Sequence, residues 1–309
     1  MPLCAVSVDL DEIPCYAAIH GLSGLPLMAA EAIYRAALPR IEALFDELDL
    51  RATFFAIGSD LIAPHAAAAI KRLAERGHEI ANHSQDHLYD LTRRPRDEQR
   101  RQIETANRMI ADLTGRAPVG FRAPGYTIDD RLFALLAELG FAYDSSVFPC
   151  PTYYIPKLLV IQTYRALGRP TRSVVDHPRV LTAPADPYRV GTPYSKRGHG
   201  LLELPIGVTR DATGRLPFIG TSVTVGGTRG ARVLSEWIAG RPLVNLELHG
   251  IDGADAELDG LQSLRPHQPD LQRTAAAKLA ALKTAISTLR RLGYRFVTLA
   301  EAAQSFGDQ

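Results

Sequence analysis

Two histidines and two aspartates stand at spacings that suit a metal site. His83 and His87 are four residues apart in HSQDH, a spacing that puts both imidazoles on the same side of a helical turn. Asp9 and Asp11 are two apart after an apolar run, and alternate residues of a strand face the same way. One aspartate with two histidines leaves positions open on a bound ion, as in catalytic sites. Taken alone, the aspartate pair is more typical of a helix N-cap or a solvated loop.

Two later segments add groups that suit proton transfer and charge stabilisation. Arg122 lies in RAPGY after the fourth predicted strand, and His249 ends the later strand LELH. Singly, the arginine is more typical of a surface ion pair and the histidine of a hydrogen-bonded core residue. Together with a metal they suit amide hydrolysis. A bound zinc polarises a carbonyl and lowers the pKa of water toward about 7, and the leaving amine needs a proton donor.

The elements that must hold these residues alternate between strand and helix. Apolar runs such as LCAVSVDL, RATFFAIG and PLVNLELHG are separated by segments of helical periodicity. Predicted helices cover 29–48, 60–76, 97–113, 129–139, 230–239 and 270–292. This alternation predicts an α/β fold, a distorted (β/α) barrel of seven or eight strands in one domain over residues 1–309. The candidate residues follow strands, and parallel barrels carry their active sites at the carboxyl ends of the strands.

Composition and charge exclude several classes of protein. With 309 residues the chain can bury a full core, and its 35 basic and 34 acidic residues argue against a nucleic-acid partner. No apolar run reaches the roughly 18–20 residues that cross a bilayer. The three cysteines are widely spaced and form no CxxC pair, which predicts reduced thiols: Cys4, Cys15 and Cys150. The first residues show no export signal. We therefore predict a cytoplasmic location, with peripheral contact at the inner face of the membrane as an option.

Residues 150–200 interrupt the alternation and are too long for an ordinary connection. We predict a lid or a substrate-binding insertion near the active-site rim. Residues 153–165 mix tyrosine, aliphatic and basic side chains, which suits a cap on the pocket, a segment that docks on a membrane, or an ordered loop that packs on the barrel. Two interpretations are open for Lys196, Arg197 and His199 near the end of this segment. They either contact a phosphate or carboxylate of the substrate, or form a solvated basic loop.

The ordered motifs resemble one family. The aspartate pair, GHEIANHSQDH, GFRAPGY, FAYDSS and LELHG occur in the order of the polysaccharide deacetylase family, also named the NodB-homology or carbohydrate esterase four family. The resemblance covers nearly the whole chain, and HSxxH is its most specific motif. It implies a divalent metal held by Asp11, His83 and His87. Zinc is the first expectation for mixed nitrogen and oxygen ligands, with cobalt, nickel, manganese or iron as alternatives.

The same resemblance implies roles for the remaining residues. Asp9 would be the general base that activates water, and His249 the general acid that protonates the leaving amine. Arg122 would orient Asp9 and hold it ionised. The metal and a backbone N–H near Gly125 or Tyr126 would stabilise the oxyanion.

Departures from the family pattern bear on the substrate. The chain has D-x-D and RAPGY where members that act on chitin or peptidoglycan have adjacent aspartates and RxPY. It is more similar to the variant branch with allantoinase-like hydrolases and lipid-linked aminosugar deformylases. No segment matches the family's Asp-x-x-x-Trp motif, and Trp237 is expected in the core. Asp252 and Asp255 are candidates to tune His249, or part of a polar surface loop.

These features lead to one principal hypothesis and two alternatives. The chain is predicted to be a metal-dependent amide hydrolase that removes an acetyl or formyl group from an N-acylated amino sugar, with a nucleotide-linked or lipid-linked sugar as options. The alternatives are hydrolysis of another C–N bond in a small metabolite, as in allantoinase-like relatives, and a sugar-binding relative without catalysis. A binding module has no reason to keep both a base and an acid, which favours the enzyme.

Overall fold

Nine strands and ten α-helices are assigned in the computed structural model, which describes residues 1–22, 26–166, 168, 171 and 174–307. The strands are β1 (Leu3–Asp9), β2 (Thr53–Ala56), β3 (Glu79–Asn82), β4 (Gly120–Phe121), β5 (Tyr143–Asp144), β6 (Tyr188–Val190), β7 (Arg197–Glu203), β8 (Leu243–His249) and β9 (Arg295–Val297). The helices are α1 (Ile13–His20), α2 (Leu27–Ala30), α3 (Leu38–Glu47), α4 (Pro64–Glu75), α5 (Arg96–Thr114), α6 (Asp130–Glu138), α7 (Pro151–Ala166), α8 (Gly220–Ile238), α9 (Ala275–Arg291) and α10 (Leu299–Gly307).

The strands form one curled sheet. Its order is β6-β7-β5-β4-β3-β2-β1-β8, and β9 pairs with β1 beside this path. The pairings are parallel, except that β6 is antiparallel to β7. All seven residues of β1 are buried, which explains its mostly apolar sequence, because a parallel strand is covered on both faces. The predicted distorted barrel is confirmed, and it has one strand more than predicted because β6 adds to the edge.

An irregular segment after β7 bridges the gap between β5 and β8. The N–H of Ile206 donates to the carbonyl of Val147 at 3.0 Å, and the N–H of Gly207 donates to the carbonyl of Asn245 at 2.8 Å. A Cβ on Gly207 would lie 2.5 Å from that Asn245 oxygen, so glycine is needed for this close approach. The barrel is therefore closed by single hydrogen bonds instead of a regular strand pair.

The predicted helix over residues 29–48 is broken into three parts. α2 ends at Ala30, a π-helical segment covers Ile33–Ala37, and α3 follows. The buried carboxylate of Glu12 accepts the N–H groups of Ile33 and Tyr34 at 3.2 and 3.1 Å. Because these two amides bind Glu12, the chain starts a new helical segment at this point.

Two predictions about α8 are wrong. The helix covers Gly220–Ile238 instead of 230–239, and Gly227 lies within it at φ 61°. Glycine and β-branched residues have low helix propensity, so the local pattern placed the start too late. The side chain of Trp237 is 41% exposed instead of lying in the core, because the buried side of α8 carries Ala231, Ser235 and Ile238.

The predicted insertion is largely structured. It contains α7, a short 3-10 segment over Pro178–Thr182, and β6. Residues 167, 169–170 and 172–173 of the insertion lie outside the described residues.

The candidate residues meet at one edge of the sheet. Strands β4, β3, β2, β1 and β8 are neighbours and parallel, so their carboxyl ends lie side by side. Asp9 and His249 are register partners at the ends of β1 and β8. His83 directly follows β3, and Arg122 directly follows β4. Residues far apart in the sequence therefore surround one point.

Candidate active site

Three buried side chains converge beyond the ends of β1 and β3. The Nε2 atoms of His83 and His87 lie 3.3 Å from Oδ1 and Oδ2 of Asp11, respectively. One ligand atom from each of these residues lies within 4.8 Å of the other two. The structure thus brings together the three residues that the sequence predicted as metal ligands.

This triad fits a metal ion because its facing atoms are acceptors. His83 Nδ1 lies 2.7 Å from the carbonyl oxygen of Arg122, which can only accept, so Nδ1 carries a proton and Nε2 is the nitrogen left to face Asp11. Burial alone would lower the pKa of His83, but the carboxylates of Asp9 and Asp11 raise it, so positive charge is favoured beside Nε2. In its neutral form the ring presents the Nε2 lone pair to a cation at that place. Buried Oδ1 of Asp11 and both ring nitrogens of His87 have no hydrogen-bond partner among the residues that the structure describes. Acceptors that face one another in a buried site need a cation between them, which a divalent ion provides.

Burial and charge set the ionisation of the triad. Burial lowers the pKa of His87 to about 4, so its ring is neutral at pH 7. Burial by itself would raise the pKa of Asp11, but the adjacent His87 and His83 rings hold it well below its ordinary value. A neutral imidazole and an ionised carboxylate are the forms that bind a metal.

The prediction that HSQDH forms a helical turn is wrong. Residues 83–87 form an irregular loop in which Ser84 has φ 67° and His87 has φ 50°, left-handed values that are uncommon for residues other than glycine. Asn82 holds this loop, since its Oδ1 accepts the Ser84 N–H at 2.7 Å and its Nδ2 donates to the Ile103 carbonyl at 2.9 Å. The loop brings the two imidazoles to a centroid distance of 4.8 Å.

Asp9 lies beside the triad and is held by Arg122. Nη1 of Arg122 donates to Oδ1 of Asp9 at 2.7 Å, and both side chains are buried. The other carboxylate oxygen, Oδ2, lies 3.8 Å from Nε2 of His83. One oxygen of Asp9 therefore pairs with the guanidinium group while the other faces the triad, as the predicted base and its orienting arginine require.

Three polar residues that sequence reasoning missed fix the position of Arg122. Its Nη2 donates to Ser7 Oγ at 3.0 Å and Ser145 Oγ at 2.8 Å, and its Nε donates to the Ser145 carbonyl at 2.8 Å. Asn245 links both hydroxyls, since Oδ1 accepts from Ser7 at 3.0 Å and Nδ2 donates to Ser145 at 2.9 Å. The carboxylate of Asp9 thus meets a cation whose orientation is set in advance.

His249 lies between Glu247 and Tyr126. Its Nδ1 is 3.0 Å from Glu247 Oε1, and its Nε2 is 3.2 Å from the Tyr126 hydroxyl oxygen. A carboxylate only accepts, so Nδ1 carries a proton and Nε2 is the nitrogen that can exchange one with a substrate. Burial alone would lower the pKa of His249, but the Glu247 carboxylate raises it well above the ordinary value. The ring is therefore protonated near neutral pH, as a proton donor must be.

Glu247 was missed in the sequence, although a signal for it exists. Asn245, Glu247 and His249 alternate with leucines along β8, and a period of two turns all three to one face. Two aspartates were predicted to tune the His249 ring, but both contact backbone groups. Asp252 accepts the backbone N–H of His249 at 2.9 Å, and Asp255 accepts the backbone N–H of Ala275 at the start of α9. The carboxylate beside the ring is that of Glu247.

Replacing Glu247 with glutamine is expected to weaken the proton donor. Without the negative charge beside Nδ1, the pKa of His249 falls, so the ring loses its proton at lower pH. A general acid works only below its pKa, so the alkaline limb of the pH profile of kcat should move to lower pH, with a loss of about ten- to a hundred-fold on that limb. Glu247→Asp keeps the charge and should move the limb less. An alkaline limb that stays in place in Glu247→Gln would show that this carboxylate does not set the proton affinity of His249.

The RAPGY turn places Gly125 and Tyr126 at the site with positive φ values of 62° and 61°. A Cβ on Gly125 would also lie 2.9 Å from the ring of Tyr89, so glycine is needed here on both grounds. The N–H of Tyr126 already donates to the Ala123 carbonyl at 3.0 Å. Of the two predicted oxyanion donors, the backbone N–H of Gly125 is therefore the better candidate, and Tyr126 contributes its hydroxyl beside His249.

A cavity of about 310 Å³ opens over Asp11 and His83 of the triad. Its polar floor contains Asp9, Asp11, His83 and His249. Its walls are mainly aromatic and aliphatic side chains of α1 and α7, namely Tyr16, Ile19, Tyr153, Val160, Ile161 and Tyr164. The predicted insertion thus lines the cavity through α7.

The basic residues predicted near the end of the insertion lie elsewhere. The carbonyl of Lys196 accepts the Gly191 N–H at 2.7 Å in the β6–β7 hairpin. The guanidinium group of Arg197 lies 5.9 Å from the ring centroid of Tyr188. These residues and His199 belong to the hairpin and do not line the cavity over the triad.

A second set of ligand-type atoms, from Asp9, Glu247 and His249, also lies within 4.8 Å of one another. In this set each carboxylate already has a cationic or proton-bearing partner, because Asp9 pairs with Arg122 and Glu247 lies against the His249 ring. The triad of Asp11 and the two histidines pairs with no arginine that the structure describes. It is therefore the better candidate for the metal.

The chain matches known deacetylases over part of its length. A family profile described as polysaccharide deacetylase matches residues 29–143, which include His83, His87 and Arg122. A peptidoglycan deacetylase from Helicobacter pylori is 27% identical over 147 residues, which are 47% of this chain and 49% of that protein. A peptidoglycan deacetylase-like protein from Gibberella zeae is 39% identical over 77 residues, 25% of this chain and 22% of that protein. The matches thus span about half or less of these relatives.

Similarity to solved structures extends over the whole chain. A protein from Mycobacterium smegmatis assigned as a polysaccharide deacetylase has a TM-score of 0.59 at 20% identity, covering 100% of this chain and 91% of that one. A carbohydrate esterase four family pseudoenzyme from Bacillus anthracis has a TM-score of 0.51 at 14% identity, covering 98% of this chain and 65% of that one. These likenesses concern the fold, and the second shows that the fold also occurs in a pseudoenzyme.

Proposed function

Because the chain belongs to the polysaccharide deacetylase family, we propose that it is a metal-dependent hydrolase that removes an acetyl or formyl group from an N-acylated amino sugar. The observation that carries the proposal is the buried convergence of Asp11, His83 and His87, whose facing atoms are acceptors. Zinc is the first choice for such mixed ligands, with cobalt, nickel, manganese or iron as alternatives. Bound there, the ion would polarise the scissile carbonyl and make water more acidic.

The neighbouring residues supply the proton transfers of amide hydrolysis. Asp9 accepts a proton from the water whose oxygen adds to the carbonyl carbon, and Arg122 pairs with Asp9 and orients it. The N–H of Gly125 stabilises the negative charge that develops on the carbonyl oxygen. As the C–N bond breaks, Nε2 of His249 gives its proton to the leaving nitrogen. The products are a carboxylate and a free amine.

The shape of the cavity favours a small substrate over a long glycan. The inner side of α7 contributes Tyr153, Ile161 and Tyr164 to the walls, so the insertion narrows the space above the triad. We propose that residues 150–200 act as the substrate-binding insertion of a single domain. The D-x-D and RAPGY motifs fit the same variant branch, and a nucleotide-linked or lipid-linked amino sugar suits both features.

The outer side of α7 supports peripheral contact with a membrane. Ile155 and Leu159 of α7 are 52% and 62% exposed and do not line the cavity, and the cavity residue Val160 beside them is itself 54% exposed. Such a face suits an interfacial segment beside a lipid-linked substrate. No helix in the described part of the chain is both long and apolar enough to cross a bilayer. A cytoplasmic location stays a prediction.

Release of acetate or formate from N-acylated amino sugars tests the proposal. The zinc-loaded protein is expected to release one of these acids together with a free amine. Removal of the metal with a chelator should abolish turnover, and added zinc or cobalt should restore it. Activity that persists after the metal is removed, as measured by elemental analysis, would contradict metal dependence.

The same assay separates the two alternatives. Opening of a cyclic amide without release of acetate or formate would point to an allantoinase-like hydrolase. Tight sugar binding without hydrolysis by the metal-loaded protein would point to a non-catalytic relative.

A further inference from the structure

A larger crevice of about 670 Å³ adjoins the catalytic cavity. The two spaces share Tyr89 and Thr171 in their walls, and the crevice also reaches the metal-site residue His87. Its remaining walls come from α1, from the HSQDH loop and the segment after it, from the end of α7, and from Val174. A ligand can therefore extend from the triad into this crevice.

Arginines from separate segments face this crevice. Arg93 and Arg94 follow the HSQDH loop, and Arg165 lies near the end of α7. Arg94 is paired with Asp90 at 3.0 Å. Arg93 and Arg165 form no ion pair with any residue that the structure describes. Within the described part of the chain, these two guanidinium groups at one opening therefore have no direct ion-pair partner.

The acidic residues of the crevice cancel only part of this charge. Asp90 pairs with Arg94, whereas Asp86 accepts a hydrogen bond from the neutral amide of Gln102 at 2.6 Å and keeps its negative charge. Three arginines against two aspartates leave the walls of the crevice with a net positive charge. Lys157 of α7 lies eight residues before Arg165 and lines the catalytic cavity. Eight residues span about 12 Å along a helix, so α7 carries one positive charge to the cavity and one to the crevice.

We infer that this crevice is a subsite for a phosphate or diphosphate group attached to the amino sugar. Guanidinium groups bind phosphate oxygens with paired, charge-assisted hydrogen bonds, and two unpaired arginines suit a dianionic ligand. Only one sugar ring separates an acylamino group from a phosphate on the anomeric carbon, so the subsite must adjoin the triad, as this crevice does. The inference rests on the proposed function, because it assumes that the acylamino group lies at Asp11, His83 and His87.

Binding of N-acetylglucosamine 1-phosphate and of N-acetylglucosamine to the zinc-loaded full chain tests this subsite. By calorimetry, the wild type should bind the phosphorylated sugar about ten- to a hundred-fold more tightly. Arg93→Ala/Arg165→Ala should lose that preference and keep its affinity for the neutral sugar. Arg101→Ala/Arg108→Ala, which removes two exposed arginines of α5 that form no ion pair with a described residue, should keep the preference.

The outcomes distinguish the subsite from the proposed reaction. A wild type without preference for the phosphorylated sugar, or a double variant at Arg93 and Arg165 that retains it, would overturn the inference. Preferential binding without release of acetate would leave the subsite in place and contradict the proposed function instead. Competition by a nucleoside diphosphate sugar and by a prenyl diphosphate sugar identifies the source of the phosphate, and displacement by either supports the inference.

Discussion

Asp11→Ala is expected to lose the metal and almost all activity. The Asp11 carboxylate lies between the Nε2 atoms of His83 and His87 at 3.3 Å from each, so its loss removes the only negative ligand of the triad. The two imidazoles alone hold a divalent ion weakly. We expect metal content to fall from one ion per chain to near zero, and turnover to fall by about a thousand-fold or more. Elemental analysis and acetate release measure the two effects.

Two controls belong with this variant. Asp112→Ala removes an exposed carboxylate from α5, and it should keep both metal and activity. His83→Ala and His87→Ala should lose the metal as Asp11→Ala does. Full metal content in purified Asp11→Ala would show that this residue is not a ligand.

Asp9→Asn is expected to keep the metal and lose the proton acceptor. The amide retains an oxygen that can accept from Arg122 Nη1, now at 2.7 Å, but it cannot take a proton from water. Loss of a general base typically lowers turnover by about a hundred- to ten-thousand-fold. Metal content should stay unchanged, which separates this variant from Asp11→Ala. Acetate release and elemental analysis on the same sample measure both quantities.

Glu203→Gln is a matched control for Asp9→Asn. Glu203 is also a buried carboxyl group of the sheet, and burial followed by its Asp144 neighbour raises its pKa well above the ordinary value. It is therefore protonated at neutral pH, so an amide should preserve its hydrogen bonding and leave activity near that of the wild type. An Asp9→Asn variant with wild-type turnover would reject the assignment of Asp9 as the general base. The proton donor is tested separately by His249→Ala, which should also keep the metal and lower turnover.

The sequence by itself determined the type of fold and the identity of the candidate ligands. Both are local properties, because neighbouring residues show the periodicity of a strand, and each candidate side chain lies at the end of a strand or within five residues after it. Asp9, Asp11 and His249 could therefore be assigned to one edge of a parallel sheet before any pairing was known. The helical turn assumed for His83 and His87 was wrong, because the left-handed backbone at Ser84 and His87 depends on contacts made by Asn82.

The tertiary structure alone decided which groups touch. The pairing of β1 with β8 aligns Ser7 with Glu247 and Asp9 with His249, partners about 240 residues apart in the chain. No local pattern specifies such a register, since it is set by packing of the whole barrel. For the same reason, no local pattern predicts that Arg93 and Arg165 line one crevice, because α7 and the segment after the HSQDH loop come together only in the folded chain.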